Sequence, residues 1–247
     1  MDADAETVGD LLTRDRRDER PALVDATGRA YDYHWLCTTA WKSGNFLRHA
    51  GVRRGVTVGV VGEGPLALLA FFGTALLEGT TRFDPPRDLA GSEDFRALVG
   101  PVDALDDYDL PRGAQRVGYG GKPEAPAVHH FDAGLWSENP AFPPLSIDPD
   151  TPLLADGART YSHGAVVEAA RDVVDDAGLE PGDRVAVRAP LSTPGTVAAG
   201  VIAPLLADGV VVLGDPAEEE DAPAPALVVS PDEPESRHVD PETVDIG

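Results

Sequence analysis

Cysteine occurs once in these 247 residues, at Cys37, and lysine only twice, at Lys42 and Lys122. One cysteine excludes an intrachain disulfide framework. Cys37 sits among Leu36, Ala40 and Leu47 in a predicted helix, so it reads as a small helix residue rather than a nucleophile. No apolar run approaches the ~20 residues of a bilayer span. The most apolar stretch runs only from Pro65 to Leu77. The start, Met1-Asp2-Ala3-Asp4, lacks the apolar stretch of a signal peptide, so a cytoplasmic protein without membrane contact is expected. There is also no basic stripe to neutralise phosphates, which argues against nucleic acid as a ligand. Aromatic residues make up 6% of the chain, and Trp35, Trp41 and Trp136 read as core or lobe-interface residues.

What is abundant is acid. Asp and Glu number 43 against 20 Lys and Arg, for a net charge of −23. Low lysine with abundant aspartate fits a halophilic protein, whose acidic self-repulsion concentrated salt screens. The alternative is an acidic surface built for a basic partner. The apolar content, 42%, is ordinary for a globular chain able to bury a core.

One segment is written twice. Gly28-Arg29-Ala30-Tyr31-Asp32 matches Gly157-Ala158-Arg159-Thr160-Tyr161-Ser162. Gly51 and Gly55 match Gly178 and Gly182, Pro65 matches Pro194, and Asp84-Pro85 matches Asp215-Pro216. A nearly constant offset through so many turn residues indicates an internal repeat. Each copy reads as a β-hairpin, a helix capped by Asp32 or Ser162, a buried strand, a proline-led helix and a second strand. The helix after Ser162 is the clearest: Val166, Ala169, Ala170, Val173, Val174 and Ala177 share one face, and Gly178 follows as a left-handed cap. Strand–helix–strand crossovers predict parallel sheets. The fold class is therefore α/β, with two pseudo-repeated parallel-sheet lobes and flanking helices. The first lobe is placed at 1–150, from a repeat unit at about 22–85, a completing segment at 87–140 and a proline-rich linker. The second is placed at 151–230, with its repeat unit at about 153–216, followed by a mobile acidic tail at 231–247. Between the copies, Phe95, Leu98 and Val99 predict a short helix, and Val102–Leu105 and Arg116–Tyr119 predict edge strands. Thr7 to Arg17 reads as a helix and Glu218–Asp221 as an acidic loop.

The copies resemble a known family. Pro21-Ala22-Leu23-Val24 through Tyr33, then Gly51 to Val60, then Leu76 to Asp84, resemble the start of the acyl-adenylate-forming superfamily. That superfamily holds AMP-dependent acyl-CoA synthetases, peptide-synthetase adenylation domains and luciferases. Asp148-Pro149-Asp150-Thr151-Pro152, Ser162-His163 and Pro181-Gly182-Asp183-Arg184-Val185 resemble its next block. The resemblance covers about residues 7 to 216 and implies the N-terminal subdomains of an acyl-CoA synthetase. It also implies a phosphate loop ending in Lys-Gly between the Asp-Thr-Pro strand and Ser-His. Here only Leu153-Leu154-Ala155-Asp156-Gly157-Ala158-Arg159-Thr160-Tyr161 lies there, with no lysine and an added carboxylate. The adenine motif, the ribose aspartate and the C-terminal catalytic lysine do not appear in the sequence either.

The resemblance with that departure implies a degenerate, inactive relative of AMP-dependent acyl-CoA synthetases. It would act as a ligand-binding or regulatory protein, with no catalytic residue, no metal and no cofactor expected. A true acyl-CoA synthetase would be its partner. The alternative is an active or split ligase component, using ATP, AMP or CoA, whose missing parts come from a C-terminal ligase fragment. The candidate ligand residues are Ser192, Thr193 and Gly195, at the carboxyl end of a parallel strand where open α/β sheets bind ligands. His163, at a helix start matching a family histidine, joins them facing the lobe cleft. Gly120-Gly121-Lys122-Pro123 reads as a surface turn rather than a phosphate contact. His129-His130, which would point to opposite sides of a strand, read as a polar loop or an edge strand rather than metal ligands.

Overall fold

The computed structural model describes residues 4–140, 146–214, 223–232 and 237–247. Asp215-Pro216 and Glu218–Asp221 lie outside the described residues, as do 141–145 of the proline-rich linker.

The first copy runs β1 (Pro21–Val24), β2 (Ala30–Asp32), α1 (Tyr33–His49), β3 (Thr57–Val60), α2 (Pro65–Leu76) and β4 (Thr80–Phe83). After β5 (Phe95–Pro101), β6 (Gln115–Tyr119), β7 (Val128–His130) and α3 (Phe131–Ser137), the second copy repeats the order. It has β8 (Pro152–Ala155), β9 (Thr160–Ser162), α4 (His163–Ala177), β10 (Arg184–Val187), a helical stretch from Pro194 to Leu206 and β11 (Val210–Leu213). β12 (Leu227–Val229) and β13 (His238–Val239) follow.

The repeat extends to backbone detail. Left-handed residues recur in register: Gly51 and Gly178, Gly55 and Gly182, Glu78 and Asp208, Asp84 and Gly214. Glu78 and Asp208 both have φ of 57°. Each is followed by a glycine, Gly79 or Gly209, whose N–H donates back to Thr74 or Pro204 O. Both caps hold as predicted: Asp32 accepts the Trp35 N–H at 2.6 Å and Ser162 Oγ accepts the Ala165 N–H at 3.2 Å.

Sheet membership crosses the copies. One sheet has the order β7-β6-β5-β3-β4-β8-β9, the other β13-β12-β10-β11-β1-β2. The first copy's hairpin thus completes the sheet built on β10 and β11, with Leu23 beside Val211 in parallel. The second copy's hairpin completes the sheet built on β3 and β4, with Thr81 beside Leu154. The chain therefore does not divide at residue 150. One compact unit holds Met1–Cys37, Asp148–Thr151 and Tyr161–Gly247, and the other Thr38–Ile147 and Pro152–Thr160. A strand's sequence fixes which of its faces is buried but not which parallel edge it joins, so contiguous lobes were the natural expectation.

Other expectations are corrected by burial. Phe95, Leu98 and Val99 lie in a strand, not a helix: β5 sits between β3 and β6, and Ala97, Leu98 and Val99 are buried in succession. Their helical spacing reflects burial on both faces. Val102–Asp107 is a 3-10 helix rather than a strand, and β6 is interior rather than an edge. Val8–Leu12 and Arg14–Arg16 form two 3-10 turns instead of one helix. Trp136 is 87% exposed, against the expectation of core or interface.

α2 is apolar all round, and every residue from Ala67 to Leu76 is buried. Gly73 permits its approach to α1, since a Cβ there would meet the Ser43 and Gly44 backbone. The Ser43 hydroxyl donates to Leu69 O at 2.6 Å. In the second copy the matching helix widens to a π-helix over Val197–Ile202, where the Ala203 N–H reaches back to Ala198 O. Pro204 follows, and its ring would otherwise press on a carbonyl of the preceding turn.

Candidate functional site

The segment Ala155–Thr160 closes a tight hairpin. Asp156 N–H donates to Arg159 O at 3.2 Å, and Asp156 Oδ1 accepts the N–H groups of Ala158 at 2.7 Å and Arg159 at 2.8 Å. Gly157 supplies the left-handed turn residue, with φ of 96°. The first copy uses the same device. Asp25 N–H donates to Arg29 O at 3.0 Å, and Asp25 Oδ1 accepts from Thr27 and Arg29. These local hydrogen bonds hold Asp25 below the usual carboxylate range despite its partial burial. An aspartate that satisfies the next N–H groups makes a compact turn. In the second copy it commits the Ala158 and Arg159 N–H groups to Asp156, leaving them no free direction toward an anion.

Beside this hairpin lies a groove of about 460 Å³, lined by Thr57, Thr80, Arg82, Leu89, Ser92, Asp94, Phe95 and residues of 152–160. Arg82 comes from the middle of β4. The ring of the next residue, Phe83, stands 5.8 Å from that of Phe71 in α2, and strand alternation turns Arg82 to the opposite face. There its guanidinium lies against Gly157, where any Cβ would collide with it. Sequence reasoning did not single out Arg82. The available signal was an arginine between Thr81 and Phe83 in the strand that closes the first copy.

His163 does not face open space. It is fully buried, and its Nδ1 accepts the Val8 N–H at 3.3 Å. The proton of the neutral ring is thereby placed on Nε2, which has no partner among the described residues. Burial pushes its pKa down to about 4, against a weaker opposing pull from Asp10. A neutral ring sealed under the N-terminal 3-10 turn is part of the core. Tyr33, its counterpart in the first copy, is equally buried and donates its hydroxyl to Gly209 O at 2.8 Å.

Ser192 and Thr193 are half-buried in the turn after β10, and Gly195 is buried. Gly195 meets the Pro241 carbonyl and Val244, so a Cβ there has no room. The segment that covers it belongs to the expected mobile tail. Residues 237–247 instead add β13 to β12 in parallel, and Ile246 is 6% exposed. Composition hid this, because Val239, Val244 and Ile246 are scattered among Asp, Glu and Pro. We expect Gly195→Val to expel residues 237–247 at a cost of about 1–3 kcal/mol, typical of overpacking. Limited proteolysis beyond Asp232 would reveal it, and unchanged protection would refute the contact.

The remaining candidates stay at the surface or in the core. Gly120, Gly121 and Lys122 are exposed in a turn. β7, with His129 and His130, is an edge strand. Among the described residues no cluster of His, Cys, Asp and Glu suited to a metal occurs. Cys37 is fully buried, and burial pushes its thiol up to about 11, which keeps it protonated and unreactive. No described helix is long and apolar enough to cross a membrane.

No family model and no curated protein matches the chain. Solved structures do. The anthranilate CoA ligase AuaEII, in complex with anthranoyl-AMP, matches with a TM-score of 0.74 and 17% identity, over 91% of this chain and 48% of that one. The N-terminal domain of FACL13 from Mycobacterium tuberculosis matches with a TM-score of 0.68 and 16% identity, over 87% and 58%. The nonribosomal peptide synthetase FmoA3 matches with a TM-score of 0.70 and 23% identity, over 87% and 23%. The chain thus spans less than two thirds of the length of each. It has the two-sheet α/β fold of the N-terminal subdomain of acyl-CoA ligases and peptide-synthetase adenylation domains.

Proposed function

We propose that this chain is a catalytically inactive relative of AMP-dependent acyl-CoA ligases that works as a ligand-binding or regulatory protein. The observation that carries the reading is the Asp156–Arg159 turn. Adenylyl transfer depends on positioning and on stabilising developing phosphate charge. The resemblance to the family puts a lysine-bearing phosphate loop between β8 and β9. This chain has instead a carboxylate that consumes two of the local N–H groups. Asp156 is also of the wrong sign for a triphosphate. Pro241 and Val244 already cover Gly195, so of the three strand-end candidates only the half-buried Ser192 and Thr193 are left for a ligand.

The test is carboxylate-dependent exchange of labelled pyrophosphate into ATP. We expect none above the no-protein control, with any of a panel of aryl and alkyl acids. Exchange by the pure chain would overturn the proposal. Exchange that appears only on adding a C-terminal ligase fragment would instead establish a split ligase.

A further inference from the structure

We propose that residues 237–247 form a salt-sensitive strap over the carboxyl end of β10. Screening seats it there, and repulsion between its carboxylates and those of α4 lifts it at low ionic strength. The inference goes beyond the function proposed above and stands whether or not a ligand binds at that strand end.

A few contacts fix the course of the strap. Arg237 O and Val239 O accept the N–H groups of Val228 and Ser230, both at 3.1 Å, which lays β13 along β12. Pro241 and Val244 then press on Gly195, beside the half-buried Ser192 and Thr193. Gly247 reaches Ala165, at the start of α4. Pro241 and Ile246 are buried, whereas Val239 and Val244 are only half-buried. That is little apolar surface to set against the entropy of ordering the whole segment, which puts the strap among the parts of the chain that open most easily.

Charge opposes the same docking. Between the strap and α4 lies a groove of about 830 Å³. Asp172 and Asp176 line its α4 side, and Asp240 and Asp245 line its strap side. The guanidinium that joins them, Arg237, is exposed, and among the described residues its side chain makes no hydrogen bond or ion pair. The carboxylates thus face one another across the groove without a bridging cation. A groove of that volume is on the order of 10 Å across, close to the Debye length of ~10 Å at ~0.1 M salt and well beyond the ~3 Å at ~1 M. The repulsion therefore acts in dilute buffer and disappears in concentrated salt. The apolar contacts and the two hydrogen bonds to β13 remain in both. When the strap lifts, the turn at Ser192 to Gly195 is uncovered, so access to that strand end follows ionic strength.

Hydrogen exchange of the full ¹⁵N-labelled chain at about 0.2 M and about 2 M KCl tests this. The Val228 and Ser230 amides read the strap directly, because their acceptors belong to it. Val210, whose N–H donates to Asp183 O at 2.7 Å in the same compact unit, is the reference. Protection at Val228 and Ser230 should rise with salt by about tenfold or more beyond any rise at Val210. Asp172→Asn combined with Asp176→Asn should raise that protection in dilute salt and flatten its salt dependence. Asp103→Asn combined with Asp106→Asn makes the same charge change away from the groove and should leave the dependence steep. Equal salt dependence at Val210 would mean that the unit loosens as a whole, and the strap proposal would fail. A steep dependence that survives the loss of the Asp172 and Asp176 charges would defeat it too.

Discussion

Raising KCl from about 0.1 M to about 2 M should lift the melting temperature of this protein by roughly 10 °C or more, a few kcal/mol for a chain of this size. The cause is the net charge of −23. At about 0.1 M, charges within ~10 Å still repel; at about 1 M the range falls to ~3 Å. The acid is concentrated locally. α4 exposes Glu168, Asp172, Asp175 and Asp176 within three turns. With 43 acidic against 20 basic side chains, like-charge pairs outnumber attractive ones such as Arg16 and Arg20 to Asp208, at 3.1 and 3.5 Å. Screening therefore removes more repulsion than attraction. Thermal melts monitored by circular dichroism across a KCl series would show it. A flat response would assign the acid to a surface for a basic partner instead.

The second large effect is acid lability through His163. Its folded pKa, about 4, lies below the ordinary value of 6.5 because burial disfavours the imidazolium. The unfolded chain then binds a proton that the folded chain refuses. The stability this group confers is complete above about pH 6.5 and is lost as pH falls toward 4. The full window is worth roughly 3 kcal/mol. Carboxylates add their own titration, so the difference between proteins is the readout. Denaturant melts of the natural chain and of His163→Gln between pH 7 and 4 should diverge by about one proton in slope. Parallel curves would mean that the ring is solvated. Tyr33, at the matching place, offers no such proton, since burial raises its pKa rather than lowering it.

Much of the architecture was legible because it is written in turn chemistry. Gly51, Gly55, Gly178 and Gly182 announce left-handed backbone, Pro65 and Pro194 announce helix starts, and Asp32 and Ser162 announce caps. These are local events, and local sequence decides them. Legibility failed wherever partners are remote. Nothing in Leu23 or Leu154 states which sheet edge it will join. β13 depends on β12 for its existence, because two residues carry no periodicity. The site suffered similarly. Ser192 to Gly195 were read correctly as the carboxyl end of a parallel strand, but the segment that covers Gly195 comes from Pro241 and Val244. His163 was placed correctly at a helix start, and only the packing of Val8 reveals that it is sealed.

The crossed sheet membership has a consequence for synthesis. When β1 and β2 leave the ribosome, the strand that must receive them, β11, has not been made. At ~5–20 residues per second the delay from Leu23 to its neighbour Val211 is about 10 to 40 s. Meanwhile β4 stands ready beside β3 and waits for Leu154. Both nascent sheets carry an open flank during elongation, and the sheet that receives β1 closes only after residue 210 has appeared. The sheet that ends in β9 is fully synthesised by Ser162 and can mature first, whereas the one that receives β1 has to wait. The chain's acid-rich surface then acts in a second capacity, as mutual repulsion between unfinished copies on neighbouring ribosomes.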